Sequence, residues 1–324
     1  MKAVVVREGG PSIEERPVLS PKSNEVLVQV RAAALNRLDL QVAEGLTHGK
    51  SGGLGNTMGI EWSGTVLEVG SEVPTSLKPG DCVMCSGTGG YAQMAVADWG
   101  RVHKFPDSFT DFIQAAALPV SLQTAHEALT SSGQFRRGQT VLVNGASSVI
   151  GLMAMQVAQA LGASAVIGTT TSAERIEALK PFGLTMGVVT GDADWEAGVL
   201  AATGGQGVDL VIDMVAGKTL NSLFRATRVS GRIVNVGRVG GFHAEVDLDL
   251  HAMQRIHYVG ASFRTRTLQE VREVSRNMRN DLWTAVARGD LRIPVSQVFP
   301  IARFNEALDT MRSNRHFGKI ILEV

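Results

Sequence analysis

The stretch Thr140-Val141-Leu142-Val143-Asn144-Gly145-Ala146-Ser147-Ser148-Val149-Ile150-Gly151 decides how the rest of the chain is read. A short apolar, partly β-branched run ends in small residues. The segment Val149 to Gly162 then reads as a buried helix closed by glycine, and Ser164 to Thr170 as a second strand. Strand, tight turn, helix and strand form a βαβ unit, whose crossover is right-handed. The turn gathers free backbone N–H groups and the positive end of a helix, which suits a pyrophosphate. The glycine fingerprint G-x-G-x-x-G is incomplete, since its three positions hold Ala146, Ser148 and Gly151. Gly151 keeps close helix–strand packing, and Ser148 permits near approach with a hydroxyl to offer a phosphate. Ser147, Ser148, Val149 and Ile150 are therefore candidate cofactor contacts. An α/β crossover that binds nothing would carry the same pattern.

The end of the second strand indicates which dinucleotide. A carboxylate there would bind the ribose 2′-hydroxyl of NAD. This chain has Thr169-Thr170-Thr171-Ser172-Ala173-Glu174-Arg175. Hydroxyls and a permanently charged guanidinium suit a 2′-phosphate instead, so Thr170, Thr171, Ser172 and Arg175 point to NADP(H). Ser172 also reads as the N-cap of a helix over Ala173–Phe182.

Working outward, 324 residues allow about two domains. Acidic and basic residues balance at 31 each, which implies no general attraction to nucleic acid or anionic membranes. No apolar run approaches the roughly 20 residues of a membrane span, and Met1 to Arg7 reads as a strand rather than a signal peptide. Two cysteines make no disulfide framework, so a reducing, cytoplasmic setting is expected.

Residues 1–120 read as β-rich, with strands expected over Ala3–Arg7, Glu25–Ala33, Glu61–Val69, Asp81–Ser86, Gln93–Val96 and Val102–Phe105. Residues 121–262 alternate strands (140–144, 164–170, 187–190, 209–215, 232–237, 258–262) with helices, which predicts a parallel doubly wound sheet. The tail carries helices over Leu268–Arg288 and Phe304–Ser313 and a last strand over Gly318–Val324. Ligands in such sheets bind beyond the carboxyl ends of strands, so Val215, Asn235, Val236 and Gly237 join the candidate contacts.

Several stretches in order then resemble a known family: Ala32-Ala33-Ala34-Leu35-Asn36-Arg37-Leu38-Asp39, Met58-Gly59-Ile60-Glu61-Trp62-Ser63-Gly64, Gly89-Gly90-Tyr91-Ala92-Gln93, Ala115-Ala116-Ala117-Leu118-Pro119, the turn Gly145–Gly151, and Phe317-Gly318-Lys319-Ile320-Ile321-Leu322. The chain resembles the zinc-free medium-chain dehydrogenases/reductases of the quinone oxidoreductase, zeta-crystallin-like branch over nearly its whole length. The resemblance implies an α/β architecture: a GroES-like β-barrel catalytic domain from both chain ends (1–120 and 263–324) and a Rossmann domain (121–262), with NADPH in the cleft. It implies that Asn36 faces the nicotinamide and the substrate carbonyl and that Asp39 orients its neighbours, although both residues also cap short helices well. It further implies cofactor contacts from Thr124, Ser262, Phe263, Arg264 and Lys319, and a homodimer through the edge strand 258–262.

The chain departs from relatives in three ways. Zinc-dependent relatives have cysteine at the position of Asn36 and histidine at that of Ile60. Neither residue here supplies a zinc ligand, so no metal is expected. The tyrosine common shortly after the Asn–Asp segment is missing from Gly45 to Lys50, where His48 becomes one candidate proton donor beside water and a cofactor ribose hydroxyl. The third departure is the serine in the phosphate turn. Cys82-Val83-Met84-Cys85 lacks a second ligand pair and reads as two unrelated thiols.

The expected activity is NADPH-dependent hydride transfer, without zinc, to quinones or related conjugated carbonyls as small-molecule substrates. Enal, enone or enoyl-thioester reduction would use the same residues. A non-catalytic NADPH-binding protein is the reading from another class.

Overall fold

The computed structural model describes residues 1–191 and 194–324. They divide into two compact units, Met1–Val120 with Phe263–Val324, and Ser121–Ser262.

The second unit is built on a six-stranded sheet whose paired neighbours are all parallel. Across it run Met186–Val189, Ala165–Thr170, Thr140–Asn144, Val208–Asp213, Thr227–Asn235 and His257–Gly260. Counted along the chain within this unit, the order is 3-2-1-4-5-6, the Rossmann arrangement. The order reverses between Thr140–Asn144 and Val208–Asp213, so the turn after Asn144 stands at the switch point where such sheets bind ligands. The three central strands, Ala165–Thr170, Thr140–Asn144 and Val208–Asp213, are largely apolar and almost wholly buried, as expected for a sheet covered on both faces. Leu142, Val211, Ile233 and Phe224 belong to one buried cluster. The helix Val149–Ala160 buries Gly151 through Ala158 without a break. Close packing at its start requires glycine at 151: a Cβ there would lie 2.5 Å from the Gly145 carbonyl oxygen and 2.8 Å from that of Ala146.

Strand His257–Gly260 ends the sheet. The segment leading into it exposes Val239, Phe242, Leu248 and Met253, and Tyr258 on the strand itself is exposed.

The first unit is organised around Glu25–Ala34, which pairs antiparallel with Glu61–Val69, with Met94–Asp98 and with Lys319–Glu323. The last strand of the chain thus lies beside one of the first, with Ile321 opposite Ala34. Cys82–Ser86 and Val102–Lys104 extend the sheet on one side and Val295–Pro300 on the other. Trp62, fully buried, centres the apolar core. Gly90 allows the indole to pack, since a Cβ there would meet Trp62 Cε3 at 2.5 Å. The helix Leu268–Ala287 opens with a capping box, Thr267 and Glu270 bonding reciprocally, and buries Val271, Val274, Ser275, Met278, Leu282, Ala285 and Val286 at helical spacing.

Several expectations shift. Ser12–Glu15 and Val295–Pro300 are strands that the sequence reading did not assign. The former alternates half-buried and exposed side chains, and the latter is closed by a proline, so neither shows an apolar run. Residues 173–182 form a helix only over Glu174–Leu179, followed by a 3-10 turn at Lys180–Phe182. The N-cap position falls on Ala173, with no side-chain cap, so Ser172 is not the cap. Its backbone N–H bonds Thr170 Oγ1 at 3.3 Å instead.

Gly151→Ala is expected to destabilise the protein by about 1–3 kcal/mol, the range for overpacking a tight contact, because both atoms it strikes are backbone. Thermal unfolding of the variant against the parent checks this; an unchanged melting temperature contradicts the geometry.

Candidate active site

In the second unit the turn is held by a buried polar network. Thr169 Oγ1 donates to Asn144 Oδ1 at 2.7 Å and accepts from the Gly145 N–H at 2.9 Å. Asn144 Nδ2 donates to Asp213 Oδ1 at 2.8 Å, and the same oxygen accepts from the N–H groups of Val215 and Ala216 at 2.9 and 3.0 Å. Burial raises the Asp213 carboxyl above its ordinary range. Three parallel strand ends are thereby tied together under the turn. Gly145, at φ +83°, lies against Val215, and the Gly237 backbone lies against Met214, where a Cβ would come within 2.5 Å of the carbonyl oxygen.

The serine in the turn does something other than expected. Ser148 Oγ accepts from the Gly151 N–H at 3.0 Å and donates to the Gly145 carbonyl at 2.9 Å. It caps the helix Val149–Ala160, and its only proton is spent within the turn, so it does not offer a hydroxyl hydrogen to a phosphate. The amides of Val149 and Ile150, first in that helix, lack intrahelical acceptors. Ser147 through Ile150 are half-buried. Arg175 Nη1 donates to Ser147 Oγ at 3.3 Å, which brings a guanidinium to the turn. Thr170 is buried, Thr171 exposed and Ser172 half-buried beyond the same strand end. Asn235 is buried, its Nδ2 bonding Tyr258 Oη at 2.9 Å, and Val236 and Gly237 both bond the Asp213 carbonyl through their N–H groups. Thr124 is half-buried on the helix Pro119–Glu127, and Ser262 half-buried past the edge strand.

In the first unit three strand ends meet. Asn36 follows Glu25–Ala34, Glu61 begins Glu61–Val69, and Lys319 begins Lys319–Glu323. Lys319, 2% exposed, donates to the Leu35 carbonyl at 3.1 Å, to Asn36 Oδ1 at 2.7 Å and to Glu61 Oε1. An ammonium has three donors, and all three are used here. Lys319 was expected to reach the cofactor; its burial and these partners leave it no proton for one. Glu61, fully buried, also accepts from Asn36 Nδ2 at 2.8 Å and, through Oε2, from the Val120 N–H at 2.9 Å. The second Asn36 Nδ2 hydrogen has only the Ala34 carbonyl, at 3.3 Å.

Asp39 is fully buried beside this group. Its Oδ2 accepts from the Asn36 backbone N–H and from Tyr91 Oη, both at 2.7 Å, while Oδ1 is buried and makes no hydrogen bond. Burial pushes the Asp39 carboxyl up to about 6, against the pull of Tyr91, the Asn36 N–H and Lys319. Tyr91 reaches it because residue 59 is glycine at φ +95°, where a Cβ would strike the Tyr91 ring at 2.3 Å. Asp39 lies in the first turn of the helix Leu38–Ala43, but the N-cap position belongs to Arg37.

His48 stands on a small hairpin, Thr47–His48 with Ser51–Gly52, half-buried. Gly49 at its tip packs against Arg264, whose backbone Cα would be 3.3 Å from a Cβ at 49. Arg264 is exposed, and the Phe263 ring lies under the Arg266 guanidinium at 5.6 Å. Glu61 and Tyr91 were not singled out from the sequence, although both stand in the glycine-containing stretches quoted above.

Two family models match the chain: an alcohol dehydrogenase GroES-like domain over residues 22–107 and a zinc-binding dehydrogenase domain over residues 149–280. Bovine quinone oxidoreductase-like protein 2 is 30% identical over all of this chain and 90% of its own length. The chain belongs to the quinone oxidoreductase family of medium-chain dehydrogenases/reductases. Rat quinone oxidoreductase is 29% identical over 99% of this chain and 97% of its own. A mycobacterial quinone oxidoreductase of solved structure superposes with a TM-score of 0.88, at 26% identity and full coverage of both chains. The chain also matches a segment of much longer proteins: 29% identity to a reducing polyketide synthase of Hypomyces subiculosus covers 95% of this chain and 13% of the synthase. The chain is thus an oxidoreductase of the quinone oxidoreductase family. Its two units have the family's GroES-like and Rossmann folds.

The raised Asp39 carboxyl makes stability depend on pH in a definite direction. Below about pH 4 the residue is protonated folded or unfolded, and burying it carries no charge penalty. As pH rises through about 6 the folded chain must hold an anion that the unfolded chain holds in water, and about 3 kcal/mol of stability is lost. Asp39→Asn is expected to remove that slope. Melting temperatures of parent and variant between pH 4 and 7 check it; parallel curves contradict the assignment.

Proposed function

We propose that this protein is an NADPH-dependent reductase of quinones or related conjugated carbonyls that works without zinc. The observation carrying the cofactor assignment is Arg175 lying against Ser147 in the phosphate turn, at a strand end with no carboxylate. Ser147, Val149 and Ile150 would hold the pyrophosphate at the helix start, and Arg175 with Thr170 and Thr171 the 2′-phosphate. Thr124, Val215, Asn235, Val236, Gly237, Ser262, Phe263 and Arg264 remain proposed contacts. Bound there, the nicotinamide nucleotide supplies hydride to an electron-poor acceptor.

What the chain must add is orientation and stabilisation of the oxygen on which negative charge grows. Asn36 would be that donor. Its loosely held N–H, with Ala34 at 3.3 Å, is the one that can turn to a substrate oxygen. A hydroquinone oxygen is far more acidic than an alkoxide, so a neutral donor suffices where a metal would otherwise be needed. Zinc independence is supported by Asn36 and Ile60 at the ligand positions. Among the described residues no group of three His, Cys, Asp or Glu side chains is placed to hold a metal. His48 is proposed as a proton donor. Enal or enoyl-thioester reduction rests on the same residues, and the match to polyketide synthase segments favours including such substrates in any panel.

A homodimer is proposed through strand His257–Gly260, whose outer edge is unpaired in the described chain, which itself exposes Tyr258 and is preceded by exposed Phe242, Leu248 and Met253. A cytoplasmic setting is supported by two free cysteines, one of them buried.

NADPH consumption against quinones and enones, with NADH alongside, tests the reading; preference for NADH overturns the cofactor assignment. Arg175→Ala is expected to weaken NADPH binding about tenfold or more, the worth of a charged hydrogen bond, and to leave NADH binding unchanged. Asn36→Ala is expected to lower kcat about 100-fold with NADPH affinity preserved. Solution mass at micromolar concentration should be that of two chains; a single-chain mass contradicts the dimer.

A further inference from the structure

We propose that Lys319 and Glu61 are positioning residues that clamp the Asn36 carboxamide in one orientation, so that one of its N–H groups is kept for the oxygen that becomes negative. This inference rests on the assignment of Asn36 to that oxygen made above.

A carboxamide can rotate by half a turn with almost no change in shape, so packing alone does not choose which end is oxygen. Here charge chooses. Asn36 Oδ1 faces the Lys319 ammonium at 2.7 Å, and Nδ2 faces the Glu61 carboxylate at 2.8 Å. The flipped amide would set donors against an ammonium and an acceptor against a carboxylate, with both charges buried where water cannot relieve them.

The clamp is itself held from outside. Glu61 Oε2 takes the Val120 N–H, Lys319 takes the Leu35 carbonyl, and the Asn36 backbone N–H is fixed on Asp39. Of the contacts made by Asn36, only the one from the second Nδ2 hydrogen is long, at 3.3 Å to Ala34. That hydrogen is the part of the residue left adjustable. Asn36 is half-buried while both clamp residues are sealed, so the amide is the member that can meet a ligand. The ammonium also draws electron density through the amide carbonyl and strengthens the remaining N–H as a donor, as linked hydrogen bonds polarise one another. Lys319 therefore acts on the reaction through Asn36, without touching substrate or cofactor.

The test is a double-mutant cycle read in single-turnover rates with a quinone, alongside NADPH affinity and melting temperature. Lys319→Met alone is expected to lower the rate about tenfold, the lower end of what losing an outer partner of a functional group costs, with NADPH affinity unchanged. In the Asn36→Ala background the same substitution should change the rate by less than about twofold, because its effect runs through the missing amide. An equal fold-loss in both backgrounds, or no loss in the parent, overturns the positioning role while leaving Asn36 in place. No effect of Asn36→Ala itself overturns the assignment of Asn36 instead. Removing one member of a buried pair strands the other charge and can unfold the protein. If Lys319→Met does not fold, the paired Glu61→Gln and Lys319→Met variant replaces it, leaving neither charge of the pair stranded. It should fold and show the same loss, again only when Asn36 is present; parent-like turnover in the paired variant overturns the clamp.

Discussion

The ion pair between Lys319 and Glu61 is the constraint on which the first unit depends. Taking an ammonium and a carboxylate out of water is costly, and their attraction offsets that cost only when geometry is good and the remaining donors and acceptors are met. Here they are met by two carbonyl or amide oxygens around Lys319, besides Glu61 itself, and by two N–H groups at Glu61. That arrangement exists only when Lys319–Glu323 is seated beside Glu25–Ala34, and Glu25–Ala34 beside Glu61–Val69. A tertiary fact about the last six residues therefore sets the geometry around residue 36. It also removes Lys319 from the list of groups a cofactor can use.

The second unit reaches the same end with neutral groups and one carboxylate. Thr169, Asn144 and Asp213 come from three adjacent parallel strands and bond in sequence beneath the phosphate turn. Each satisfies buried polar atoms that the sheet ladder cannot reach, and the Asp213 oxygen that gathers three donors closes the chain above it. In both units the main groups that would meet ligands stand just past strand ends, as Asn36 does after Glu25–Ala34 and Ser147 after Thr140–Asn144, rather than in long loops. That gives them little freedom to drift, a requirement for orienting a hydride acceptor.

Asp39, like Asp213, is satisfied at one oxygen only. One oxygen carries two donors and the other none, in a fully buried position next to a buried tyrosine. The network around Asn36 thus contains one carboxyl whose charge state responds to pH and one buried ion pair.

Much of this was legible in the residues. The apolar runs at 140–144 and 164–170, with Gly145 and Gly151 between them, specify strand–turn–helix–strand because period, turn chemistry and close packing all agree. The alternation that follows specifies a parallel sheet. Asn36 and Ile60 are visibly not zinc ligands, and an arginine without an acidic neighbour is visible at 175. What could not be read were partners distant in sequence. Whether Ser148 serves a ligand or caps its own helix depends on a hydroxyl torsion within the turn. Whether Lys319 points to a cofactor or into the core depends on Leu35 and Glu61, more than 250 residues away, and Tyr91 joins Asp39 only because Gly59 leaves room for its ring. Local sequence determines elements because propensity and periodicity act over a few residues. Only the tertiary structure decides which buried polar groups meet, because their hydrogen-bonding must be satisfied by whatever the fold brings within 3 Å.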